Sequence, residues 1–273
     1  MSHDARRVLL GGLIDHAALF PPASMAMPEA IEADRAARAT EHAWILDRFI
    51  CPASKLDELP REAPRLSVVL DGGEGDLERV RDARLAGRVV ELVEARVDAE
   101  WIPDTQRLLE ATLGDGVRAF WELPPSRAVA GEVAAVREAG AGAKIRCGGP
   151  AGVPSVAEVA SFVAACRDAD VPFKATAGLH HAVRAGEAHG FFNLLAAAVF
   201  AFTEGLRSEE LEPLLAEEDS SAFSVDASGL RMHGFAADAE AIAEARRDVF
   251  VAYGSCSFSE PVEDLTELDL LPS

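Results

Sequence analysis

Of the 26 lysines and arginines in this chain, only Lys55, Lys144 and Lys174 are lysines. Two of the three lie in short apolar runs, Ala-Lys-Ile-Arg-Cys-Gly-Gly (143–149) and Pro-Phe-Lys-Ala-Thr (172–176). A guanidinium stays charged in any biological setting, whereas a desolvated ε-amine can lose its proton and become a nucleophile or a base. Lysines kept inside strands of an otherwise arginine-rich chain therefore point to amine chemistry. Their other use is as plain anion anchors at strand ends.

Alternation along a strand sorts the neighbours of each lysine. Lys144 shares a face with Arg146, opposite Ile145 and Cys147, and Lys174 shares a face with Thr176, opposite Phe173 and Ala175. The same alternation groups Glu94 with Arg96, Arg118 with Glu122, and Arg48 with Trp44 and Leu46. Glu122, just before Leu123-Pro124-Pro125, is placed to act as a general base or a lysine partner. Arg146, Arg96, Arg48 and Thr176 are candidate anion or substrate ligands. The charges cannot sit unpaired in a dry interior, so they form either a substrate pocket or a buried ion-pair web.

A second group of candidates follows Lys174. His180, His181, His189 and Asn193 crowd one loop and helix start, where His180 or His181 suits a proton shuttle and Asn193 a substrate contact. A metal site built from His180, His181 and His189 with Glu122 or His16 is the competing use, and hydrogen bonding to loop backbone is a third. Asp15 and His16, at the end of the first expected strand before Pro21-Pro22, are placed to face the site. In Tyr253-Gly254-Ser255-Cys256-Ser257, Ser255 could donate to an anion, as could the Gly148-Gly149-Pro150 turn. No cofactor motif is present: there is neither a glycine-rich dinucleotide fingerprint nor a Walker loop.

The elements that must position these residues recur regularly. Strands are expected near 9–18, 43–51, 65–71, 89–97, 117–123, 142–148, 171–178 and 248–257. Helices are expected near 27–40, 75–87, 100–113, 126–140, 155–168, 188–206 and 236–247, with at most a short helix at 53–60. Eight strands alternating with helices predict a single (β/α)8 barrel domain spanning 1–273. An open doubly wound sheet is the other architecture this alternation allows. One insertion, about 208–233, breaks the rhythm before the last strand. It reads as a helix near 208–217 and a hairpin around Ser228-Gly229, able to cover the barrel mouth or to form an oligomer contact.

A lysine late in strand six and another on strand seven of a barrel resemble the arrangement in class I aldolases of the deoxyribose-phosphate-aldolase family. The resemblance covers residues 142–181. It implies that Lys144 forms a Schiff base and that Lys174 lowers its pKa. The phosphate-binding run of that family is replaced here by Thr176-Ala177-Gly178-Leu179-His180-His181. The expectation is thus a lyase acting on a small anionic carbonyl compound without a cofactor. The alternatives are a metal-dependent lyase or hydrolase and a non-catalytic barrel that binds an anionic metabolite.

A formal charge of −20 argues against nucleic acid and anionic membranes as partners. Four widely spaced cysteines without a C-x-x-C pair, and no long apolar segment, fit a cytoplasmic protein. A homo-oligomer is compatible with all of this.

Overall fold

The structure, a computed structural model, describes residues 4–73, 75–149 and 152–272. Helix α1 (Ala5–Leu10) leads into β1 (Ile14–His16), followed by α2 (Met27–Arg38) and β2 (Leu46–Pro52). Only a 3-10 turn, Ala53–Glu58, separates β2 from β3 (Leu66–Val69). Helix and strand then alternate strictly: α3 (Asp76–Leu85), β4 (Val90–Arg96), α4 (Ile102–Leu113), β5 (Arg118–Glu122), α5 (Ala130–Glu138), β6 (Gly142–Arg146), α6 (Val156–Asp168), β7 (Phe173–Thr176). Next come α7 (Phe191–Glu204), α8 (Ser208–Ala216) and three short strands, β8 (Phe223–Asp226), β9 (Gly229–Met232) and β10 (Phe235–Asp238). Helix α9 (Ala239–Asp248), β11 (Phe250–Ser255) and α10 (Ser259–Glu267) complete the chain.

Eight strands close into a parallel barrel in the order β1-β11-β7-β6-β5-β4-β3-β2. This is the (β/α)8 barrel that the alternation predicts. Outward-facing strand residues such as Phe49, Val93, Trp121, Ile145, Phe173 and Tyr253 join the helices in one continuous apolar layer. Inward-facing Ile50, Leu92, Phe120 and Ala252 are also buried but lie outside that layer. They fill the barrel interior. Packing there is tight enough that a Cβ on Gly142 would collide with the Phe120 ring, so the glycine makes room for the aromatic.

Three expectations need correction. The first strand is shorter than 9–18, because Leu9 and Leu10 belong to α1, which Asp4 caps by accepting from the Arg6 N–H. An apolar run of that length fits a buried helix or a strand equally well, and the cap decides. Helix α10 is an element that the sequence reading leaves out. The insertion carries a third strand, β10, paired antiparallel to β9, and its first turn sits one residue earlier than expected, between Asp226 and Gly229. This small sheet packs on α1, α7 and α9, while α8 packs on α6 and α7. No residue of 208–238 lines either cavity at the C-terminal mouth; the insertion braces the barrel's flank. Among the described residues no helix is long and apolar enough to cross a membrane.

Candidate active site

Six side chains from six strands meet inside the barrel: Asp15 of β1, Ser67 of β3, Glu94 of β4, Glu122 of β5, Lys144 of β6 and Lys174 of β7. Register brings them together, since Lys144 is level with Lys174 on one side and with Glu122 on the other. Lys174 Nζ donates to Asp15 Oδ2 and to Glu94 Oε1, both at 2.5 Å. Lys144 Nζ lies 2.9 Å from Glu94 Oε2 and 3.1 Å from Glu122 Oε2. Glu94 therefore bridges the two amines, one on each carboxylate oxygen. Ser67 Oγ donates to Glu94 Oε1 at 2.6 Å, and the Arg48 backbone N–H donates to Asp15 Oδ1 at 3.0 Å.

The two lysines differ in what surrounds them. Lys174 is 1% exposed, with the Phe120 ring 5.8 Å from its nitrogen. Burial alone would lower its pKa, but the charges and hydrogen bonds of Asp15 and Glu94 outweigh that, and the amine is held above the ordinary lysine value. Burial would likewise raise Glu94, yet the two lysine charges, with hydrogen bonds from Lys174 and Ser67, keep it ionised far below the usual carboxylate range. Lys174 and Glu94 are thus a locked ion pair at working pH. Lys144 shares Glu94 but turns its other side to Glu122, which lines a cavity at the C-terminal mouth.

That cavity, about 310 Å³, is bounded by Arg96, Arg146, Leu123, Pro124, Pro125 and Pro154 among others. Arg146 Nη1 is 3.8 Å from Glu122 Oε2, the same oxygen that faces Lys144. Arg96 is level with Glu122 on the neighbouring strand. Arginine, carboxylate and amine follow one another from the cavity wall inward. The charges nearly balance: Asp15, Glu94 and Glu122 face Lys144, Lys174 and Arg146, as a buried polar cluster requires.

Several sequence candidates are placed elsewhere. Arg48 shares the inner face but sits toward the N-terminal end, where its guanidinium pairs with Asp47 and Glu91 and lies 3.7 Å from Asp15 Oδ1. It is a strut below the lysines and not a mouth ligand. Thr176 stands above Lys174 on β7, near the close approach of Gly254, where a Cβ would come within 3.2 Å of its hydroxyl. Ser255 is buried, and its hydroxyl proton is spent on the Ser257 carbonyl at 2.6 Å.

Asn193 is fully engaged: its Oδ1 accepts from the Arg184 N–H, and its Nδ2 donates to the Leu214 and Glu217 carbonyls. It ties α7 to the end of α8 and has no hydrogen left for a substrate. His189 is buried and its Nε2 donates to the Pro154 carbonyl at 2.7 Å, leaving Nδ1 to face Arg184. Burial holds its pKa below the ordinary histidine value, with Arg184 acting in the same direction against the Pro154 hydrogen bond.

His180 and His181 line a separate mouth cavity of about 380 Å³ with Pro22, Glu260, Glu263 and Asp264. His181 Nδ1 is 3.3 Å from Asp264, and its side chain is largely exposed. His16 points outward to Asp34 of α2 at 3.2 Å. The residues of the metal reading are thus dispersed, and among the described residues no three His, Cys, Asp or Glu side chains are grouped to hold a metal ion. All four cysteines are buried and unpaired. In the Gly148-Gly149 turn, Gly148 is packed so closely on Gly178 that a Cβ would reach within 2.8 Å of its Cα; Pro150 lies outside the described residues.

Sequence reasoning turned Asp15 and Glu94 toward the site without giving either a partner, and it left out Ser67. Glu94 carried a signal, since its alternation with Arg96 already turned it inward. Asp15 and Ser67 each interrupt an apolar strand with a polar residue. Their partners, however, come from strands far away in sequence.

Fold and site together define a (β/α)8 barrel with a lysine–carboxylate layer beneath an arginine-lined mouth. No family model matches the chain, and no characterised protein matches it in sequence.

Proposed function

We propose that the protein is a Schiff-base lyase of the class I aldolase type, acting on a small anionic carbonyl compound, with Lys144 as the amine nucleophile. The observation that carries this reading is the asymmetry of the two lysines. Lys174 is locked between Asp15 and Glu94, whereas Lys144 faces Glu122 and, through it, the cavity.

The steps balance. Glu122, 3.1 Å from Lys144 Nζ, takes a proton from the ammonium. The freed lone pair attacks the substrate carbonyl, and Glu122 returns the proton to the carbinol oxygen, so that water leaves and an iminium carbon remains. Glu122, again a carboxylate, takes the proton of the hydroxyl β to the iminium as the adjacent carbon–carbon bond breaks, and the electrons of that bond enter the iminium, giving an enamine and releasing an aldehyde. Protonation of the enamine by Glu122 and hydrolysis return the amine and the second product. Glu94 stays ionised throughout and stabilises the cationic iminium as it forms. Lys174 keeps Glu94 in place, and because Glu94 lies between the amines, Lys174 acts on Lys144 as half of an ion pair and not as a bare cation. Arg96 and Arg146 supply the anion site.

The test is hydrogen exchange. Enamine formation swaps hydrogens α to the carbonyl for deuterium in D₂O, which proton NMR follows across a panel of small carbonyl acids and phosphates. The expected result is enzyme-dependent exchange for at least one member, lost in Lys144→Arg. Exchange that survives in Lys144→Arg would overturn the assignment.

A further inference from the structure

Resting on the reading of Lys144 as the nucleophile, we infer that the substrate is a 2-oxo acid, whose carboxylate, bonded directly to the reacting carbonyl carbon, is held by Arg146. Lys144 Nζ and Arg146 Nη1 share one neighbour, Glu122 Oε2, at 3.1 and 3.8 Å, so the two nitrogens are at most about 7 Å apart. A carboxylate attached to the carbon bonded to Nζ places an oxygen about 3–3.6 Å from that nitrogen. A charge-assisted hydrogen bond adds about 2.8 Å, for a span of about 6 Å. An extended chain carrying its anion several bonds further out, as in a sugar phosphate, overshoots.

While Glu122 is ionised it occupies both Lys144 and Arg146, and it would repel an incoming carboxylate. Once it takes the Lys144 proton it is neutral and releases Arg146. The substrate carboxylate then replaces Glu122 as the partner of the guanidinium in the same step that frees the amine. The side chain of Arg146 is 37% exposed, open to a ligand, and its terminal Nη1 is the atom that faces Glu122. Activation of the nucleophile and capture of the anion are one exchange of partners.

The experiment compares pyruvate with acetaldehyde as probes, measuring the rate of cyanoborohydride-dependent adduct formation on intact enzyme by mass spectrometry. Wild type should trap pyruvate at Lys144 at least about tenfold faster than acetaldehyde, relative to free lysine under the same conditions. Arg146→Gln should reduce pyruvate trapping at least about tenfold more than acetaldehyde trapping, the effect of losing one charge-assisted hydrogen bond to the carboxylate, so that the preference for pyruvate collapses. Equal preference for the two probes in wild type, or equal loss of both in Arg146→Gln, overturns the 2-oxo acid assignment while the Schiff-base reading stands. Absence of any adduct at Lys144 with either probe overturns both.

Discussion

The lysine–carboxylate layer and the loop from β7 to α7 both gather side chains capable of chemistry, yet the structure uses them in opposite ways. In the loop and the first turn of α7, His189 and Asn193 spend their hydrogen bonds on backbone carbonyls and amides of Pro154, Arg184, Leu214 and Glu217. They hold loops together, where backbone groups have no strand partner and need side chains instead. In the barrel, backbone groups are already paired by the sheet, and the ionisable side chains satisfy one another. The lesson is that a dense run of polar residues in a loop is often structural, while a smaller number on inward strand faces must form a network or face a ligand.

The largest effect that would sharpen this contrast is on Lys144. Lys144→Arg keeps the charge between Glu94 and Glu122 but cannot form an imine, so carbonyl turnover should fall by at least about three orders of magnitude. Its urea midpoint should stay near that of wild type. Lys174→Met should instead act on stability. Removing the cation between Asp15 and Glu94 leaves Asp15 only Arg48, whose Nη1 is 3.7 Å away, and leaves Glu94 to Lys144 alone, at a cost of about 3–5 kcal/mol in urea unfolding. Adding Asp15→Asn to that variant should recover part of the loss.

The same pair predicts an alkaline transition. Because the folded pKa of Lys174 is raised, its contribution is full below the ordinary lysine value of about 10.4 and lost as pH rises through the folded value. Urea midpoints measured across this alkaline range should therefore fall more steeply in wild type than in Lys174→Met. Equal slopes would break the assignment of Lys174 as the locked cation.

Smaller effects belong to the loop. Asn193→Ala should cost about 1–3 kcal/mol through unpaired backbone groups, with trapping at Lys144 unchanged per folded molecule. His189, whose folded pKa is lowered, contributes stability that is present above about pH 6.5 and lost as pH falls through the folded value. His189→Gln should flatten that acid-side slope. A drop in turnover larger than the loss of folded protein, in either loop variant, would move the loop into the chemistry.

How much of this was legible follows from what is local. Strand alternation is a two-residue rule, so the inward faces carrying Lys144, Lys174, Glu94 and Glu122 could be read directly. The rule gives a face but not a height along the barrel. Arg48 and Arg118 share inner faces with the site and yet lie toward the opposite end. Who pairs with whom depends on register and barrel closure, so the grip of Asp15 on Lys174, 159 residues apart, had no signature in the sequence. Nor did the partners of Ser67. The apolar run at Leu9–Leu13 was ambiguous for a different reason, since only the Asp4 cap separates helix from strand there.

The central claim is that Lys144, and not Lys174, is the reactive amine. With three lysines in the chain, reductive trapping followed by peptide mapping reads this directly. A carbonyl acid and borohydride should leave a single adduct on the peptide containing Lys144, with Lys174 and Lys55 unmodified. An adduct on Lys174, or none on any lysine with every carbonyl tried, would contradict it.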